Sequence, residues 1–139
     1  LFWPLFQHIE KNEVAMTAPV EMRFPSDFDG TNEVEGEMSM AFLYGQPTIG
    51  ELGAQGQVTV RDEPAMTVVS IGLRGPYTTH SMAEAVVELR AWLEQHRAEY
   101  VADGPPRRLA YNGPDVPQAR LFSEVQIPIR PVQAGDRAE

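Results

Sequence analysis

The sequence predicts an α+β domain in which two helices cover one face of a twisted, mostly antiparallel sheet. Three observations lead there. Several segments alternate apolar and polar residues with a period of two, the mark of half-buried strands. Two segments carry apolar residues at helical spacing. The order helix, strand, loop, strand then occurs twice, over Phe2 to Tyr44 and over Ser81 to Ile129.

The first helix is read from Phe2, Leu5, Phe6 and Ile9, with Pro4 tolerated in its first turn. Val14 to Phe24 alternates as a strand, and Pro19 places that strand at a sheet edge or a bulge. Pro25 to Gly36 is a polar, turn-rich loop. Glu37 to Tyr44 alternates again through Met38, Met40, Phe42 and Tyr44. Gly45 to Gly56 reads as a glycine-rich connection, and Gln57 to Asp62 and Ala65 to Leu73 as two strands around a Glu63-Pro64 turn. The second helix is set by Met82, Val86, Leu89, Leu93, His96 and Tyr100. Ser81 to Glu84 fits a capping box, and Gly104-Pro105-Pro106 is the stop. Arg107 to Asn112 and Leu121 to Ile129 are the closing strands.

Two strands precede the second unit and none precedes the first. The expectation is therefore a pair of internally duplicated β-β-α-β-β units whose first strand pair is missing from this chain. The domain is expected over residues 1–131, N-terminally incomplete, with 132–139 a flexible tail.

The chain has 139 residues, enough for one core. Its net charge of −9 repels phosphate backbones and disfavours nucleic acid and anionic membranes as partners. An anionic ligand would need arginines clustered against that overall field. No apolar run is long enough to span a bilayer. The absence of cysteine removes disulfides, thiolate iron ligation and cysteine nucleophiles. A cytoplasmic location is expected, although the chain starts at Leu1 within a helical pattern and a targeting segment would have preceded it. The sequence assigns no oligomeric state.

Residues able to carry chemistry are few. No zinc, nucleotide or serine-hydrolase motif is present. His8, on the first helix, is the one metal candidate, as a ligand of heme iron. The commoner role for such a residue is a helix-edge histidine at the solvent boundary. His96 fits a helix C-terminus, where the dipole and a carbonyl suit it, and His80 fits the surface. Most of the six methionines are core filling, and Met16 is the one placed to face a pocket. On the last strand Glu124 shares parity with Phe122, Gln126 and Pro128. Facing solvent it is an ordinary charge; in a groove with the first helix it would be a buried carboxylate with a raised pKa. Arg107, Arg108 and Arg120 could pair with it or meet ligand carboxylates.

Met16-Thr17-Ala18-Pro19-Val20, taken with Tyr111-Asn112-Gly113-Pro114, Arg120 and Ser123-Glu124-Val125, resembles the SOUL heme-binding family. Ser123 stands where that family's ending has asparagine, and Gln126 where it has tryptophan. The resemblance implies a twisted eight-stranded, barrel-like sheet with two helices. It also implies binding of heme or a related tetrapyrrole in a shallow apolar groove beside the first helix, as carrier or buffer rather than enzyme. Carried onto this chain, the groove residues are Phe2, Leu5, Phe6, Ile9 and Met16, with Arg108 or Arg120 at the propionates. The duplicated fold also resembles GyrI-like effector-binding domains, which implies an alternative: a sensor of cationic apolar molecules using Glu124. A hydrolase using Glu124 with Tyr111 or His8 is a third reading that no spacing demands.

Overall fold

A computed structural model describes residues 2–12, 19–28, 38–44, 52–113 and 115–138. Helix α1 runs Phe2–Lys11 and helix α2 Thr79–Gln95. The strands are β1 Val20–Arg23, β2 Ser39–Phe42, β3 Gly53–Gln55, β4 Val58–Val60, β5 Thr67–Arg74, β6 Tyr100–Ala102, β7 Arg107–Ala110 and β8 Phe122–Pro131. Every strand pairing is antiparallel, in the order β2-β1-β7-β8-β5, with β6 also on β8. The α+β class and the two helices are as expected. The barrel-like closure is not: among the described residues the main sheet has six strands and stays open, and β3 and β4 form a separate hairpin.

The two helix–strand–strand units meet at the antiparallel β1–β7 pairing, in the middle of the sheet. β1 is thus interior rather than at an edge. Pro19 is accommodated because it precedes the first paired residue, where no ladder N–H is needed. The two strands expected around Glu63-Pro64 do not pair with each other. β4 pairs with β3, which lies inside the stretch read as a loop, and β5 runs the length of β8. Gly56, at φ +60°, supplies the left-handed first turn residue that a two-residue hairpin needs.

α2 starts earlier and ends earlier than its apolar stripe suggests. Thr78 is the N-cap, its hydroxyl accepting from the Ser81 N–H at 3.1 Å, in place of the expected box at Ser81. His96 is the C-cap; its ring nitrogen lies 2.8 Å from the Trp92 carbonyl, and its ring stacks on Trp92 at 3.9 Å. Tyr100 belongs to β6. β6 and β7 lie on one edge of β8, interrupted by Asp103 to Pro106. Glycine suits this break at Gly104, since a Cβ there would sit 3.1 Å from the Pro128 ring, closer than most such contacts.

The core lies between α2 and the sheet. Met82, Val86, Leu89 and Leu93 pack on Val125, Ile127 and Ile129, and Phe24 and Phe28 close the side. Strand parity gives the opposite face a different character. One row across it reads Ala41, Glu21, Leu109, Glu124, Gly72, and the next reads Ser39, Arg23, Arg107, Gln126, Ser70. No helix among the described residues is long and apolar enough to cross a membrane.

Candidate functional site: an aromatic face on α1 and a charged face on the sheet

The predicted stripe of α1 forms, and it divides. Ile9 is buried at 4% exposure, Leu5 and Phe6 are half-buried, and Phe2 is exposed. Phe2 stacks on Phe6 with centroids 5.8 Å apart and meets Phe42 of β2 edge-on at 5.4 Å. Trp3 joins them, 5.8 Å from Phe2 and 5.9 Å from Phe6, and is 67% exposed. Phe42 shares its sheet face with Met40, Met22 and the core, so α1 lies on the same side as α2, as expected. Phe2 and Trp3 are exposed, Phe6 and Phe42 half-buried beside them, and the four rings together form one apolar patch at the surface. Met16 falls outside the described residues.

His8 is buried rather than at the solvent boundary, at 8% exposure. Asn12 donates to the His8 carbonyl at 2.8 Å and to Gln55 at 3.1 Å, tying α1 to the β3–β4 hairpin, with its amide nitrogen 3.5 Å from the His8 ring. Among the described residues no three His, Asp or Glu side chains are grouped as metal ligands. The aromatic surface therefore suits the flat body of a tetrapyrrole by contact, with no described histidine standing on it for the iron.

Arg108 is 2% exposed, on the α2 side of the sheet. It donates to Ser123 Oγ at 3.1 Å, the Thr78 carbonyl at 2.9 Å and Ser81 Oγ at 2.9 Å, and its guanidinium lies over the Tyr77 ring. Burial lowers its pKa. Every nitrogen is engaged in joining β7 and β8 to the N-terminus of α2. Arg120 is exposed in a 3-10 turn over Gln118–Arg120, with no side-chain hydrogen bond or ion pair to α1 among the described residues.

Glu124 stands on the helix-free face, away from α1. Its pKa is lowered, not raised as the groove reading required. The main cause is a very short hydrogen bond from the Tyr111 hydroxyl, supplemented by Ser70 Oγ at 2.9 Å. Burial and the Glu124 charge push the Tyr111 phenol up to about 12. Phe122 packs against Tyr111 at 5.5 Å and lies under the Arg74 guanidinium at 5.0 Å. A fixed anion beside two rings results. One row on, Glu21 is buried at 3% and holds Arg23 at 2.9 Å and Arg107 at 2.5 Å.

The motif residues around this face are structural. The Asn112 side chain accepts from the Phe122 N–H at 2.7 Å, and the Tyr77 hydroxyl accepts from the Asn112 N–H and donates to the Phe122 carbonyl. Together they close the loop between β7 and β8. Sequence reasoning passed over Trp3, Phe42 and Glu21. Trp3 lies off the apolar stripe, and its ring contacts with Phe2 and Phe6 are what bring it into the patch. The alternation of Val14 to Phe24 turns Glu21 away from the strand's apolar side, which holds for its direction but does not reveal its burial.

The structure is similar to that of the EcmrR C-terminal domain, with a TM-score of 0.68 and 22% identity over 94% of this chain and 80% of that one. It is also similar to EcmrR in its DNA complex, with a TM-score of 0.68 and 23% identity over 95% of this chain. This chain spans about half of that protein's length (48%). At these identities the likeness shows the fold. No curated protein matches the sequence. The model of the SOUL heme-binding protein family matches residues 1–128, which takes in α1 with its aromatic face and β8 as far as Pro128, and the chain belongs to that family.

Proposed function

We propose that this protein holds heme or a related tetrapyrrole against the aromatic face of α1 and the adjacent β2 edge, as a carrier or buffer and without catalysis. The carrying observation is the cluster of Phe2, Trp3, Phe6 and Phe42, with Trp3 67% exposed. Covering about 200–300 Å² of apolar surface would contribute about 5–8 kcal/mol. Association costs then leave affinity in the micromolar range. With His8 buried, apolar contact rather than axial ligation carries the interaction. Arg108 supplies only its field, since it is 2% exposed and each guanidinium nitrogen is engaged internally; Arg120, exposed, is the arginine free to meet a propionate. Hemin titration should shift the Soret band, and Trp3→Asp or Phe6→Asp should weaken binding by about tenfold or more. Unchanged titrations in both variants would end this reading.

A second reading is favoured by Glu124. A carboxylate held ionised beside Tyr111 and Phe122 suits a cation with an aromatic or apolar body, by charge and by ring contact. The same pairing argues against a hydrolase. Near neutral pH Glu124 keeps its charge and Tyr111 its proton, so neither exchanges a proton readily. Binding of tetraphenylphosphonium should be lost in Glu124→Gln while hemin binding is retained. Equal phosphonium affinity in that variant would remove Glu124 from the site. The net charge of −9 supports a small-molecule partner over nucleic acid.

A further inference from the structure

We propose that Arg90 of α2 is a further binding residue of the tetrapyrrole site, receiving a carboxylate of the ligand at the end of a methionine-lined strip that starts at the α1 aromatics. This deepens the reading given above and rests on it. Arg90 adds to Arg120 a second cation, placed on the helix-bearing side of the sheet.

Arg90 is half-buried, yet its charge is unanswered. Nη2 donates to the Phe28 carbonyl at 2.9 Å. Nε is buried with no hydrogen-bond partner, and Nη1, which is not buried, has none among the described residues. No ion pair among the described residues includes Arg90. On its own helix Glu94 pairs with Arg97 and Glu84 with His80. Arg23, Arg107 and Arg130, by contrast, are each matched by carboxylates. A guanidinium taken partly out of water without a counter-charge is unfavourable until an anion meets it. On a protein of net charge −9, such an unmatched cation is a local reversal of sign.

The surface beside Arg90 is apolar and leads to α1. Val87, one turn back on the same side of α2, is 53% exposed. Phe28 belongs to the core cluster on which Met22 and Met38 pack. Met22 is the β1 partner of Met40 on β2, and Met38, Met40 and Phe42 share one face by alternation. Met22, Met38, Met40 and Phe42 are all half-buried, so the strip is covered on one side and open on the other. At its far end Phe42 meets Phe2 of α1. At about 3.3 Å per residue, Phe42 to Met38 covers about 13 Å, the scale of a tetrapyrrole ring. Thioethers are polarizable and adaptable, and they suit the face of a flat aromatic body. A ligand lying along the strip rests its ring on methionine and phenylalanine and brings a propionate to Arg90.

The test is titration of hemin and of hemin dimethyl ester, which keeps ring and iron but carries no carboxylate, in one dilute non-ionic detergent. Arg90→Met should weaken hemin by about tenfold and leave the ester unchanged. Arg90→Lys, which keeps the charge, should retain most of the hemin affinity. Val87→Glu, at an exposed position that does not touch the Phe28 carbonyl, should weaken hemin more than the ester. The comparison of acid with ester is made within each variant, so it stays readable if a melting temperature falls. Equal weakening of hemin and ester in Arg90→Met would make Arg90 a support for Phe28 and overturn the proposal. Hemin affinity unchanged in Arg90→Met and Val87→Glu but lost in Trp3→Asp would overturn it while leaving the tetrapyrrole reading in place. Hemin affinity unchanged in all of these variants would end both.

Discussion

Glu124 and Tyr111 have their ionisations pushed apart by one hydrogen bond, and the effect should be visible in stability as well as binding. Glu124 is depressed in the fold, so its contribution is present above the ordinary carboxylate range and is lost as pH falls through its lowered pKa. Tyr111 is raised from 10.0 to about 12, so its contribution is present below pH 10 and is lost as pH rises toward 12. Tyr111→Phe should therefore destabilise the protein by a constant amount across the neutral range, with the gap to wild type closing at both extremes. Urea unfolding at a series of pH values measures it; a gap that does not vary with pH would mean that the bond is not what shifts the two groups. The parity of Glu124 was legible in the sequence. Its charge state was not, because Tyr111 is thirteen residues away and becomes its neighbour only through the diagonal between β7 and β8. Arg108 shows the same limit. Its type suggested a ligand contact, yet its place in the row Met40, Met22, Arg108, Val125, Ile71 puts it beneath the start of α2.

Among the elements, those with a regular period were the most legible. α2 and β8 follow from the spacing of Met82, Val86, Leu89 and Leu93 and from the alternation of Ser123, Val125, Ile127 and Ile129. The failures have local causes. β6 was hidden because Tyr100 continues the helical stripe by position. What ends α2 is the His96 cap, whose N–H reaches the carbonyls of both Trp92 and Leu93. β3 was hidden because a three-residue strand between glycines carries no alternation to detect. α1 was legible as a helix, but not the division of its surface. Ile9 and His8 are covered and Phe2 and Trp3 are not, and that depends on where β2 and the hairpin lie against it.

At the scale of the whole molecule, one sheet separates two chemistries. The helix-bearing face is apolar apart from Arg108 and Ser123 beneath the start of α2, and it ends at the α1 aromatics; the other carries Glu21, Glu124, Arg23 and Arg107 in two adjacent rows. The seam that joins the two halves, β1 on β7, runs through the middle of that charged face. Glu21 lies on it at 3% exposure, answering arginines on both strands. A carboxylate so placed is sensitive in one direction. Removing it leaves two guanidinium groups facing each other across the seam, a loss of about 3–5 kcal/mol for a broken buried pair. Glu21→Ala should show that loss in chemical unfolding. Glu63→Ala, which removes a 39% exposed partner of the same Arg23, should cost about 1 kcal/mol or less. A cavity of about 400 Å³ at the break between β6 and β7, lined by Arg23, Arg107 and Arg130 among others, provides the counter-case. If water entering there solvates Arg23 and Arg107, Glu21→Ala will cost no more than Glu63→Ala, and the seam will be held by its backbone ladder and Leu109 rather than by charge.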